Sequence, residues 1–222
     1  VRQAKSKTDR RPEREAAIGA VFAKLPDDAL VICANGHIGR EAQRVRDRQG
    51  NFYMIGSMGL AASIGLGVAL AKPDRRVVIL DGDGNVLMGM GTLAQVATNR
   101  PRKFLHVCLD NAEYTSTGGQ KTISATVKLE DVARAAGYAR AERAKDLDQL
   151  AKAVEAALAQ DGPAFVLSEV AGGEPEDLAP RVVHEPPEIA NRFRRASLDA
   201  KVAGAGENSP KANSPHAERP KA

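Results

Sequence analysis

Short apolar runs alternate with stretches of helical period along most of this chain. Residues 13–25 place Ala16, Ala17, Ala20, Val21 and Leu25 on one side, which predicts an amphipathic helix. Pro26-Asp27-Asp28 ends it, and 29–34 reads as a short buried strand closed by the turn Asn35-Gly36-His37. A polar-faced helix over 38–48 and an extended piece over 51–55 follow. Residues 57–71 predict a helix of small residues, among them Ala61, Ala62, Ser63, Gly65, Gly67 and Ala69. Gly in a helix costs up to about 1 kcal/mol relative to Ala, so two of them imply close approach, within the domain or at a subunit contact. Strands are expected over 77–80, 104–109 and 164–170, and helices over 87–99, 129–136 and 147–160. The 87–99 helix is expected to pack through Leu87, Met88, Leu93, Ala94, Val96 and Ala97. Residues 113–127 read as a polar loop, Gly137 as a helix stop, and 138–141 as a short extended segment. This alternation predicts an α/β fold, a parallel β-sheet with helices on both faces. Ligands of such sheets bind outside the carboxyl ends of the strands.

Composition changes the picture only at the ends. The chain has 222 residues and a net charge of +4. Basic residues crowd the start, and the last twenty or so hold almost no large apolar side chain. Residues 1–12 and 196–222 are therefore expected to be disordered, with one folded domain over 13–195. These termini are read as solvated, so no nucleic acid is expected as a partner. No run of about 18 apolar residues exists, so no membrane partner is expected either. The N-terminus lacks a secretory apolar region, which predicts a cytoplasmic protein. Cys33 and Cys108 lie in strand-like runs and read as buried thiols.

Candidate chemistry gathers at two strand ends. Gly82-Asp83-Gly84-Asn85 follows one apolar run, and Asp110-Asn111 follows another; Asn111 lies 28 residues after Asp83. A helix and return strand fit between them, so a right-handed crossover makes the two ends neighbours. Carboxylate and amide oxygens suit Mg²⁺, which favours sites completed by phosphate oxygens. Small residues at Gly82 and Gly84 admit a diphosphate close to the backbone. A Rossmann fingerprint is not complete here, because position 87 is Leu.

This pair at this spacing resembles the diphosphate-binding domain of thiamine diphosphate enzymes. The resemblance implies thiamine diphosphate and Mg²⁺ as cofactors, with Asp83, Asn111 and the backbone carbonyl of Glu113 as metal ligands. Phe52-Tyr53-Met54-Ile55-Gly56-Ser57-Met58-Gly59 resembles the segment that cradles the aminopyrimidine ring in decarboxylases of this family. It implies coenzyme contacts at Gly56, Ser57 and Met58, with Met58 as the wedge that bends the cofactor. Asp110-Asn111-Ala112-Glu113-Tyr114-Thr115-Ser116-Thr117-Gly118-Gly119-Gln120 and Gly82-Asp83-Gly84-Asn85-Val86-Leu87-Met88 resemble the sulfopyruvate and phosphonopyruvate decarboxylases. Cofactor contacts are then implied at Gly36, Gly82, Gly84, Asn85 and Tyr114. Ser116, Thr117 and Gln120 become candidate active-site groups for an anionic 2-oxo acid. The stretch Asn35-Gly36-His37-Ile38-Gly39-Arg40-Glu41 keeps the family's Arg-Glu but has Gly39 for its usual Ser, which makes His37 a candidate proton shuttle or substrate contact.

In the family a second domain supplies a catalytic Glu. Only about 30 residues precede the first strand here. The expectation is a coenzyme-binding beta subunit of a split, hetero-oligomeric decarboxylase, with a separate alpha subunit carrying the pyrimidine-binding domain and that Glu. The proposed substrate is 3-sulfopyruvate, with phosphonopyruvate as the alternative. Two other readings are a beta subunit of a 2-oxo acid:ferredoxin oxidoreductase, which the lack of clustered cysteines disfavours, and a non-catalytic subunit that keeps the fold.

Overall fold

A computed structural model describes residues 9–175 and 177–198. The expected disorder at 1–8 and 199–222 therefore falls outside the described residues.

Six strands form one parallel sheet: β1 (Leu30–Cys33), β2 (Asn51–Tyr53), β3 (Val77–Gly82), β4 (Phe104–Asp110), β7 (Arg140–Ala144) and β8 (Ala164–Glu169). Their spatial order is β2-β1-β3-β4-β8-β7. Every residue of β3 and β4 is buried, because helices cover the sheet on both faces, as all-parallel sheets require. The helices are α1 (Arg14–Phe22), α2 (His37–Arg46), α3 (Ala61–Ala71), α4 (Asp83–Met88), α5 (Gly91–Asn99), α6 (Leu129–Ala136), α7 (Leu147–Leu158) and α8 (Pro186–Leu198). Cys33 and Cys108 are buried and free, as expected. Among the described residues no helix is long and apolar enough to cross a membrane.

The order of strands places the site. The chain passes from β1 outward to β2, then returns to the other side of β1 to lay down β3. The direction of winding thus reverses between β1 and β3, and a crevice opens there at the carboxyl ends. The loop after β1 carries Asn35 to His37, and the end of β3 carries Gly82 and Asp83.

Four expectations change. Gly82 to Asn85 is not a free turn, because Asp83 opens α4 directly. The single helix over 87–99 is two, broken at Gly89 and Met90, and Met88 and Ala94 are exposed rather than packed. The break has a steric cause: a Cβ at Gly89 would stand 2.1 Å from the Gly59 carbonyl oxygen. The polar loop holds a small antiparallel pair, β5 (Glu113–Tyr114) with β6 (Gln120–Lys121), and two 3-10 turns. Finally, α8 covers the edge strand β2, with Phe193 edge-on to Phe52 at 5.5 Å, and it continues through residues 196–198. The small residues of α3 divide in role. Gly65 packs on the sheet, where a Cβ would overlap Ile79 at 2.0 Å, while Gly67 faces open space.

Candidate active site

The loops after β1 and β4 and the start of α4 meet in one cleft at the switch point. Gly36, His37, Met58, Gly82, Asp83, Gly84, Asn85, Asn111, Glu113, Tyr114 and Ser116 all line it. Four expected residues lie elsewhere. Gly56 and Ser57 border a neighbouring apolar groove with Ile55 and Leu60, and Thr117 borders a second hollow beside Glu113. Gln120 turns back on its own loop, with its Oε1 accepting from the Thr117 hydroxyl at 3.2 Å.

Asp83 is 2% exposed. Its Oδ2 accepts from the Thr122 hydroxyl at 2.5 Å and the Ser124 hydroxyl at 3.3 Å. Ser124 also donates to Asp110 Oδ1 at 2.8 Å, so one hydroxyl ties two buried carboxylates together. Burial pushes the Asp83 carboxyl up to about 6, and neighbouring Asp110 adds to this; the Thr122, Gly84 and Ser124 donors pull the other way. Among the described residues, no cation lies within ion-pair distance of Asp83 or Asp110.

The loop after β4 is bent by its own side chains. Asp110 Oδ1 accepts the Ala112 N–H at 3.0 Å, and Asn111 Oδ1 accepts the Glu113 N–H at 3.2 Å. Ala112 consequently sits at φ 60°, in the left-handed region that L side chains seldom enter. Such a conformation persists only where surrounding bonds impose it, and it gathers at binding sites. Asn111 Nδ2 donates to the Thr115 hydroxyl at 2.7 Å. The Glu113 side chain points away to Lys121 at 3.1 Å and to the Gly173 N–H. Burial raises its carboxyl, but those two partners outweigh it and hold the group below the usual range.

Gly84 forms the floor under two side chains. A Cβ there would stand 2.4 Å from the Tyr114 ring and 3.1 Å from Met58 Cε. Asn85 holds the Met58 loop: its Oδ1 accepts the Gly59 N–H at 2.8 Å. That loop also contains Ser57 at φ 57°.

His37 begins α2 and is 8% exposed. Its Nδ1 and the Asn35 Oδ1 are buried without hydrogen-bond partners. Burial, with Arg14 and Arg40 nearby, pushes the imidazole down to about 4, so it is neutral at pH 7. Arg14, which also lines the cleft, is fixed by Glu41 through bonds of 2.8 and 2.6 Å.

Sequence reasoning missed Thr122, Ser124 and Arg14, and gave Asp110 no role of its own beside Asn111. Hydroxyls in a polar loop carry no spacing signal, and Arg14 meets a carboxylate 27 residues away. The cleft encloses only about 60 Å³, against roughly 300–1,000 Å³ for typical small-molecule sites.

Residues 34–167 match the family described as thiamine pyrophosphate enzyme, C-terminal TPP binding domain. The chain belongs to this family. Among curated relatives, it is 46% identical over 185 residues to a phosphonopyruvate decarboxylase of Streptomyces viridochromogenes, covering 83% of this chain and 46% of that protein. It is 42% identical over 203 residues to a phosphonopyruvate decarboxylase of Streptomyces hygroscopicus, covering 90% and 50%. The chain thus spans about half the length of these two. It is also 42% identical over 181 residues to the sulfopyruvate decarboxylase subunit beta of Methanothermobacter thermautotrophicus, covering 82% and 93%. The fold is that of solved thiamine diphosphate enzymes. A putative thiamin diphosphate-dependent enzyme from Mycobacterium smegmatis superposes with a TM-score of 0.63 at 22% identity, covering 77% of this chain and 34% of that one.

Proposed function

We propose that this chain is the Mg²⁺- and thiamine diphosphate-binding subunit of a 2-oxo acid decarboxylase whose substrate carries a second anionic group. The observation that carries this reading is the convergence of Asp83, Asn111 and Met58 on one cleft at the switch point. The residues fit the absent groups on three counts. Asp83 is a buried carboxylate with neutral donors and no cation among the described residues. Asn35 and His37 offer unpartnered polar atoms at the opening turn of α2. Gly84 lets Tyr114 and Met58, the proposed coenzyme wall, settle against the backbone, because a Cβ there would overlap the Tyr114 ring.

Asp83 and Asn111, with the Glu113 backbone carbonyl, would supply hard oxygen ligands to Mg²⁺. Tyr114 and Met58 would wall the coenzyme, while Ser116 would face the substrate anion; Thr117 and Gln120 bond to each other outside the cleft. When bound, thiamine diphosphate supplies the electron sink for loss of CO₂. His37, neutral near pH 7, would accept or return a proton beside the substrate.

A second polypeptide would bring the catalytic Glu. The length shared with sulfopyruvate decarboxylase beta subunits supports this. So does the apolar rim: Ile55, Leu60, Met88 and Ile123, on the segments that border the cleft, are each about half exposed or more. The substrate is then 3-sulfopyruvate, converted to sulfoacetaldehyde and CO₂. Phosphonopyruvate is the second reading, favoured by the 46% identity to a phosphonopyruvate decarboxylase. The two buried free thiols fit a reducing cytoplasm.

Co-expression with the product of the adjacent reading frame, followed by decarboxylation assays on sulfopyruvate, phosphonopyruvate and pyruvate, tests all of this. Turnover of one anionic substrate by the complex, and none by this chain alone, is expected. Activity of this chain alone would refute the shared site.

A further inference from the structure

Beneath the cleft lies a buried polar chain that the proposed chemistry does not use. Asp81 and His106 are 2% and 1% exposed, in strands otherwise made of Val, Ile, Leu, Phe and Cys near the strand centres. His106 pairs in register with Ile79, which puts it on the same face of the sheet as Asp81, one step along. His106 Nε2 lies 3.1 Å from Asp81 Oδ2, and Nδ1 lies 3.5 Å from the Tyr138 hydroxyl. Phe165, edge-on at 5.1 Å, and Phe104, edge-on at 6.5 Å, box the ring.

One assignment of protons satisfies the whole set. The Tyr138 hydroxyl donates to Nδ1, Nε2–H donates to Asp81 Oδ2, and the Gly82 N–H donates to Asp81 Oδ1 at 3.1 Å. Both Asp81 oxygens are then engaged, so its carboxylate cannot rotate. Its second oxygen grips the backbone of Gly82, the residue that ends β3 and precedes Asp83. Burying a carboxylate and an imidazole in a sheet is unfavourable unless their geometry is used.

We propose that His106 is a positioning residue: acting through Asp81, it fixes the Gly82 amide and so the angle at which Asp83 enters the cleft. This rests on the reading of Asp83 as the metal carboxylate, but its first test does not.

The first test needs only the full chain without coenzyme. Backbone hydrogen exchange at Gly82, relative to the β8 amide of Leu167 on the other side of β4, should quicken at least tenfold in His106→Phe. It should stay within twofold of wild type in His106→Gln, which keeps a donor for Asp81 and remains informative if the Phe variant misfolds. The second test is Mg²⁺-dependent binding of thiamine diphosphate in the assembled complex. His106→Phe should weaken it at least tenfold, and should add less than twofold in an Asp81→Ala background, because the two residues act in series. Equal quickening at Gly82 and Leu167, or losses that multiply in the double variant, would overturn the proposal. Should Asp83→Ala leave coenzyme binding intact, the metal reading fails, while the Gly82 exchange result still decides the role of His106 toward the backbone.

Discussion

Asp47 and Asp83 are both held by several hydrogen bonds, yet of the two only Asp47 has a cation, Arg192, among its described partners. Asp47 accepts from the Tyr53 hydroxyl at 2.8 Å, lies 3.0 Å from His184 Nε2 and accepts from Arg192 at 2.8 Å. His184 bridges onward to Glu188 at 2.9 Å, which pins α8 to the end of α2. This cluster is half-open to solvent and includes a counter-charge of its own, Arg192. Asp83 and Asp110 are buried, share a hydroxyl, and among the described residues meet only neutral donors. A buried carboxylate without a counter-charge is unfavourable, and burial pushes the Asp83 carboxyl up to about 6. The first cluster is built to hold two pieces of the chain together. The second has no counter-charge of its own among the described residues, which is what the proposed Mg²⁺ would supply.

Substitutions should separate the two clusters sharply. Asn111→Leu removes a proposed ligand and should lower Mg²⁺ affinity roughly 100-fold, measured by calorimetry with thiamine diphosphate present. Thr122→Val removes the hydroxyl that orients Asp83 and should cost roughly 10-fold in the same titration. His37→Gln tests the cleft's electrostatics without metal. The folded imidazole titrates at about 4, below its ordinary 6.5, so it contributes stability above pH 6.5 that is lost as pH falls toward 4. Urea unfolding should show wild type losing up to about 3 kcal/mol more than the variant across that window. His184→Gln should lower stability by only about 0.5–1 kcal/mol, since its pairs are partly solvated, and leave coenzyme affinity within twofold. A larger loss of affinity there would dissolve the contrast between the clusters.

The sheet was legible because β1, β3, β4 and β8 are dense apolar runs that end in turns. Asp83 and Asn111 were legible because a crossover ties sequence spacing to strand adjacency. What escaped has physical reasons. The break between α4 and α5 is imposed by the Gly59 carbonyl, and the apolar period runs on through it. Helix α8 buries only Ile189 and Phe193 amid arginines, too faint a stripe to distinguish from a polar tail. The β5–β6 pair is two residues per strand, too short for any period. Thr122 and Ser124 reach Asp83 only because the loop after β5 folds back over α4, which no local pattern encodes.

The most direct test is a calorimetric titration of thiamine diphosphate into the assembled complex, with and without Mg²⁺, for wild type and Asp83→Ala. The account predicts saturable binding for wild type that disappears when Mg²⁺ is chelated, and none in the variant under either condition. Undiminished coenzyme binding by the Asp83→Ala complex would contradict it.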